Sequence, residues 1–429
     1  MPVEPVQMGL DVLDKAQAGQ FAEIRDMFVP SLRAMVSADV LRVAWAAEID
    51  RNGAVSAIGQ PVCEPDDAGM TVVRIPVTLE RGALTVIVSV AGDWLAGIQL
   101  APASAAGRNR PWQPPAYADP TAFDEQDVTI DPGHLAVGGT LSRPRGPGRW
   151  PAIVLLAGSG PMDRDETLGR NKPLRDLAWG LASRGVAVLR FDKVTQAHGH
   201  ALADARDFTV TDEYVPHALA AIRLLRELPA NDGSAIDAGR VFVLGHSLGG
   251  TVAPRVAAAE PAVAGMVILA GGAQPMYWAA VRQVRYLASL DPATAVAAAP
   301  TIEAMTRQAA MVDSPDLTTS TPDEELPFGV PAPYWLDLRD YDPVALAATL
   351  EVPMLVLQGG RDYQATVVDD LARWQDGLAG RPGVTVHVYD ADNHFFFAGS
   401  GPSTPAELEP AQHMDPAVIT DIVAWLDQH

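Results

Sequence analysis

The sequence predicts an α/β fold, a mostly parallel sheet flanked by helices, with a helical cap insertion and a small α+β domain in front. Three observations predict it. From about Phe123 onward, continuous apolar runs alternate with amphipathic helical stretches, the pattern of strands buried on both faces by crossover helices. Before Phe123, helix-like segments are followed by strand-like ones without alternation, which indicates a separate α+β unit. The length of 429 residues exceeds what one core ordinarily fills, so two domains are expected.

The expected boundaries are 1–103 for the small domain, 104–122 for a linker, 123–272 with 346–429 for the main core, and 273–345 for the cap. In the small domain, "GLDVLDKAQAGQFAEIRDMFVPSLRAMVSADVLRVAWAAEID" carries apolar residues at helical spacing, broken at Pro30, and predicts two or three short helices. "GMTVVRIPVTLE" and "GALTVIVSVAGDWLAGIQL" alternate like strands across Arg81-Gly82. "APASAAGRNRPWQPPAYADP" is rich in Pro, Ala and Gly and reads as the linker.

The main core follows in order. "WPAIVLLAGSG" is a buried strand and glycine turn, and "VAVLRFD" a second strand. "DEYVPHALAAIRLLREL" is an amphipathic helix with Pro216 expected in its first turn, where proline is tolerated. "RVFVLGHS" is a strand and "GTVAPRVAAAE" its following helix. "VAGMVILAGG", "VPMLVLQGG" and "VTVHVYD" continue the strands, and "DPAVITDIVAWLDQ" closes with a helix. Between Gly272 and Val352 no comparable strand occurs. An insertion there lies over the carboxyl ends of the strands, where ligands bind in such sheets.

Composition narrows the function classes. Asp and Glu number 53 against 31 Lys and Arg, a formal charge of −22, which repels phosphate backbones and argues against nucleic acid as a partner. Cys63 is the only cysteine, so neither an internal disulfide nor a cysteine-based metal site is available. "MPVEPVQMGLDVLDKAQ" lacks the basic and apolar regions of a signal peptide, and no stretch nears the ~20 apolar residues of a membrane span. A cytoplasmic protein without metal or nucleotide cofactor, acting on a small-molecule ester or acyl substrate, is expected, with a homodimer as one possible assembly.

The chemistry concentrates in "VFVLGHSLGG", residues 241–250. Ser247 follows a buried strand and precedes a helix, with Gly245 and Gly249 two positions to either side. Two readings stand: an ordinary turn, or a nucleophile elbow whose crowded backbone demands small residues at those places. The preceding strand and following helix favour the elbow, and Gly250 permits close packing of that helix.

A serine nucleophile needs a base and an acid that orients it, met in this kind of sheet in the order serine, acid, histidine. Asp362, after "MLVLQGG", meets the requirement for an acid just past a later strand. The strand ending "VILAGG" is followed by Ala273 and Gln274 instead. His394, in "DADNHFFFAG" after the last strand, stands where the base belongs. His413 is the runner-up and otherwise lines the site or caps the final helix. His387 lies within a strand and His429 at the terminus. His246 adjoins the serine but points away from its hydroxyl, and neutral packing is its expected role.

The oxyanion of a tetrahedral intermediate is assigned two backbone donors: Leu248 after the serine, and Ser159 in "LLAGSGPMDRDE", where Gly158 and Gly160 let the backbone approach. Gly158 also counts as a candidate substrate contact. The run Asp163-Arg164-Asp165-Glu166 either pins this loop by an internal ion pair or touches substrate. Asp192 is read as structural. Glu213 and His217 share a helix face, but two ligands without a third make no metal site. In the cap, Tyr277, Trp278, Tyr334 and Trp335 form either an apolar substrate pocket or the cap's own core.

With these residues in place, the chain resembles the α/β-hydrolase superfamily, and within it bacterial serine esterases that carry a small N-terminal domain. The stretches "AGSGPMDRDETLGRNKPLRDLAWGLASRGVAVLRFDK", "GRVFVLGHSLGG", "QGGRDYQ" and "NHFFFAGSGPSTPAELEP" carry the resemblance, as does "GQFAEIRDMFVPSLRAMVSADVLRVAW" for the extra domain. It implies a cystatin-like or transport-factor-like N-terminal module, triad roles for Ser247, Asp362 and His394, and carboxylesterase activity on short acyl esters. Two departures stand out: Ala157 where many relatives have histidine, and "FDKVTQAHGH" without the arginine usual after "DK". The same triad also suits acyl transfer, cyclisation, thioester hydrolysis or carbon–carbon hydrolysis on a larger natural product. An inactive binding scaffold is the third reading.

Overall fold

The computed structural model describes residues 4–29, 32–33, 36–65, 70–102, 112–202, 205–230 and 233–429. Pro30 and residues 104–111 of the expected linker lie outside them. The chain forms two compact units that divide at about residue 112.

The first unit opens with the helices Pro5–Gln17, Phe21–Asp26 and Ala38–Asn52. Pro5 supplies the preset φ of a first helical position, and Met8, Val12, Leu13 and Ala16 form the stripe that this helix buries. Ser37 caps the third helix by accepting from the Val40 N–H. An antiparallel sheet follows: β1 Val55–Ile58, β2 Val62–Pro65, β3 Thr71–Leu79, β4 Ala83–Ala91 and β5 Trp94–Pro102. The long run after Arg81 is therefore two strands, turned at Gly92 with φ +60°. β1 and β2, four residues each and partly exposed, carry too short a pattern to be seen in the sequence.

The second unit holds an eight-stranded sheet in the order β13-β12-β11-β10-β8-β9-β7-β6. Its strands are β6 Phe123–Ile130, β7 Val137–Pro144, β8 Gly148–Leu156, β9 Ala187–Phe191, β10 Ser234–His246, β11 Met266–Leu269, β12 Met354–Gly359 and β13 Val384–Tyr389. From β9 to β13 neighbours are parallel, while β6 and β7 add antiparallel strands at one edge. β6, "FDEQDVTI", is polar and mostly exposed, so hydrophobic patterning does not reveal it.

The helix Val210–Glu227 corrects one expectation. It starts at a capping box, in which Thr209 and Asp212 bond each other's backbone N–H groups. Pro216 thus falls in the second turn, not the first, and leaves the Asp212 carbonyl without its helical donor. Between β11 and β12 the described residues hold the helices Met276–Ser289, Pro292–Asp313, Ala332–Arg339 and Pro343–Thr349 and no strand. The fold is fixed by a core of Ile153, Leu155, Phe242, Leu244, Val267 and Leu355 from the central strands. Chain order along the sheet reverses beside β8, whose neighbours are β9 and β10. At such a switch point the carboxyl ends of the strands leave a crevice.

Candidate active site

β10 ends at His246 and the helix Leu248–Ala259 begins at the second residue on. Ser247 alone makes the turn, at φ 53° and ψ −120°. A side chain at Gly245 would put its Cβ 2.1 Å from the Gly249 carbonyl oxygen, and one at Gly249 would stand 2.4 Å from the Leu156 oxygen. A Cβ on Gly250 would lie 2.9 Å from the Gly245 oxygen. Each glycine is there because backbone occupies the space a side chain needs. The Ser247 N–H donates to Leu269 O at 2.9 Å, which ties the turn to β11. Leu248 opens the helix, so its N–H has no acceptor within it.

Asp362 lies just past β12 and His394 just past β13, both buried. Their side chains meet, His394 Nδ1 to Asp362 Oδ2 at 2.7 Å. The carboxylate is held from behind: Oδ1 accepts the N–H groups of Gln364 (2.7 Å) and Ala365 (3.0 Å), and Oδ2 also accepts from Gln358 Nε2 (3.0 Å). With Nδ1 donating to the carboxylate, the neutral ring carries its lone pair on Nε2. Asn393 Oδ1 accepts from the N–H groups of Phe395 and Phe397 and so folds this loop back on itself.

His246 faces the other way and is not the neutral packing residue expected. Its Nδ1 lies 2.9–3.0 Å from the Glu166 oxygens, and its Nε2 lies 2.9 Å from the His394 carbonyl. Two acceptors require two N–H donors, so the fully buried ring holds both protons or shares one with Glu166. Burial pushes the imidazole down, but the Glu166 carboxylate overrides this and holds it above its usual value. This bond also brings the loop of His394 against the residue preceding Ser247.

The loop after β8 reaches the same turn. A Cβ on Gly158 would lie 2.7 Å from Glu166 Oε1 and 3.2 Å from Ser247 Cβ, so a side chain there would crowd both. The Gly158 N–H donates to Glu166 Oε1 at 2.7 Å. Its carbonyl accepts from Lys193 Nζ at 2.9 Å and Tyr214 Oη at 2.8 Å. The whole charged run turns inward. Arg164 pairs with Asp192 at 2.6 Å, Asp165 with Arg190 and Lys172 at 2.8 and 3.1 Å, and Asp163 accepts from Thr167. Asp192 is thereby an anchor of the loop.

The remaining candidates have bonding partners of their own. Trp335 is fully buried and Tyr277 nearly so, with their rings edge-to-face at 6.1 Å. Asp313 accepts from Tyr277 Oη and from Trp278 Nε1, both at 2.6 Å. Tyr334 Oη donates to Glu213 Oε2 at 2.8 Å. These contacts knit the helices between β11 and β12 to one another and to the helix Val210–Glu227. His413 binds Asp176 at 3.0 Å with Trp112 at its edge, and His387 pairs with Asp421 at 2.8 Å. Glu213 is taken by Lys193 at 3.0 Å, whereas His217 Nε2 bonds the Leu135 carbonyl. Sequence reasoning missed Glu166 as the partner of His246, and Lys193 and Tyr214 altogether. No spacing rule joins residues 158, 193 and 214; the only trace is the adjacent pair Asp192-Lys193 at a strand end.

Comparison with known proteins gives four likenesses. The alpha/beta hydrolase family matches residues 153–411. Esterase EstD of Thermotoga maritima is 38% identical over 313 residues, which are 73% of this chain and 69% of that protein. Among solved structures, 2,6-dihydroxy-pseudo-oxynicotine hydrolase is 20% identical over 71% of this chain and 67% of its own, with a TM-score of 0.43. The dienelactone hydrolase of Anabaena variabilis ATCC 29413 is 18% identical over 72% of this chain and 99% of its own, with a TM-score of 0.41.

Proposed function

This chain belongs to the alpha/beta hydrolase family, and from that premise we propose that it cleaves small carboxylic esters through Ser247, His394 and Asp362. One observation carries the reading. A serine strained at a strand-to-helix turn and a buried imidazole–carboxylate pair all follow parallel strands of one sheet, and His246 bonds the backbone of His394. The likeness to an esterase supports the choice of ester over other acyl substrates.

Ser247 Oγ attacks the ester carbonyl while His394 Nε2 takes its proton. Asp362 keeps Nδ1 protonated and stabilises the imidazolium that forms. The tetrahedral oxyanion is met by the N–H groups of Leu248, at a helix N-terminus, and Ser159. Donors of this kind each contribute about 3–4 kcal/mol to the transition state. His394 then returns the proton to the leaving alcohol, and water repeats the sequence on the acyl-enzyme. Residues 273–345 serve as a cap, and residues 1–103 as a separate domain.

The test is intact-protein mass after treatment with a fluorophosphonate, beside hydrolysis of p-nitrophenyl acetate and butyrate. One adduct per wild-type chain, absent from Ser247→Ala together with at least a thousandfold of the turnover, is the expected result. An unlabelled, inactive wild type would overturn the proposal.

A further inference from the structure

The peptide joining Gly158 to Ser159 is trans, so its C=O and N–H point to opposite sides of one rigid plane. Whatever fixes the Gly158 carbonyl therefore fixes the direction of the Ser159 N–H. Two buried side chains fix it. Lys193, just past β9, donates from Nζ at 2.9 Å, and Tyr214, on the helix Val210–Glu227, donates from Oη at 2.8 Å. Lys193 also donates to Tyr214 Oη at 2.8 Å and stands 3.0 Å from Glu213 Oε1. Each of the three ammonium protons thus has a partner, and the Glu213 carboxylate opposes the lowering that burial imposes on the lysine. The other end of residue 158 is held by Glu166.

We infer that Lys193 and Tyr214 are positioning residues that aim the Ser159 N–H at the oxyanion and polarise it through the peptide bond. The inference rests on the oxyanion role proposed above for Ser159. A cation on an amide oxygen draws electron density from nitrogen into the carbonyl, which leaves the N–H more positive and a stronger donor. Chains of hydrogen bonds in a low-dielectric interior strengthen one another in this way. Water has no access to either side chain, so neither the direction nor the polarisation is screened. The anchor also extends to the insertion between β11 and β12. Glu213, the counter-ion of Lys193, accepts through its second oxygen from Tyr334 on the helix Ala332–Arg339. Three elements distant in sequence therefore converge on one peptide plane.

Because the device acts on a charge present only in the transition state, its removal lowers kcat and leaves KM nearly unchanged. A purely structural role predicts a lower melting temperature with no such split. The experiment measures kcat and KM for p-nitrophenyl butyrate on the full chain, with the inhibition constant of an alkylboronic acid, which becomes a tetrahedral anion on a serine. Lys193→Met is expected to lower kcat about a hundredfold and Tyr214→Phe about tenfold, with KM within about threefold. The boronate is expected to weaken by matching factors. Tyr214→Phe, the milder change, carries the test by itself if Lys193→Met does not fold. Variants that take the fluorophosphonate label but keep wild-type kcat and boronate affinity would overturn this inference alone. A wild type that takes no label at Ser247 would remove the oxyanion itself and overturn both readings.

Discussion

Ser247 holds a left-handed backbone conformation at φ 53°, which costs a non-glycine residue about 1–3 kcal/mol and persists only where the surroundings impose it. Here they do, through the contacts that exclude side chains at Gly245 and Gly249. A second constraint lies two residues before His394. Asp392 is fully buried and neither of its side-chain oxygens has a hydrogen-bond partner. Burial, with the nearby Asp415 charge, raises its carboxyl to about 7 from 3.8, against the pull of Arg361. A raised acid favours the folded state in its protonated form, so that stability is complete below the ordinary carboxylate range and is lost as pH climbs towards 7. Asp392→Asn, which stays neutral, is expected to melt with the wild type near pH 4 and several degrees above it at pH 8. Parallel melting curves across that range would contradict this. At this scale the positions of Ser247, Asp362 and His394 at strand ends were legible because turn chemistry is local. The hydrogen bonding of His246 was not, since its two acceptors come from residues 166 and 394.

Elements were legible wherever one face or both faces are apolar. β8, β10, β11 and β12 are buried over most or all of their length and stand out as continuous hydrophobic runs. β6 does not, because an edge strand needs only its backbone bonds to β7. The start of the helix Val210–Glu227 was misjudged because Pro216 suggested a first turn, whereas the cap at Thr209 decides where the helix begins. Thr209→Ala removes the side-chain bonds of that cap and is expected to cost about 1 kcal/mol. A melting temperature about 2–4 °C lower would register it; Thr209→Ser should restore most of the difference. The helix carries Glu213 and Tyr214, so a shift at its start should also reach the Gly158 carbonyl.

At the scale of the molecule, the two units have separate hydrophobic cores, one around Leu13, Val73 and Leu95, the other around Leu155, Phe242 and Leu355. Trp112 belongs to the second. Its Nε1 donates to the buried Asp176 at 2.8 Å, Arg175 lies 4.4 Å above its ring, and Trp179 meets it edge-on at 5.0 Å. A chain starting at Trp112 is therefore expected to fold, whereas one starting four residues later loses this anchor and should melt about 5–10 °C lower. Equal melting temperatures would show that the anchor contributes nothing. By itself the sequence determined the alternation of strands and helices, the presence of a separate N-terminal unit and the glycine-framed Ser247 turn. Local propensity and side-chain size act over a few residues, and each of these features is of that kind. Only the tertiary structure decided that β6 and β7 extend the sheet, that Glu166 pairs with His246, and that Lys193 and Tyr214 grip the Gly158 carbonyl. Those outcomes depend on which buried donors and acceptors come to face one another when the strands assemble, and a buried polar group takes whatever partner the packing supplies.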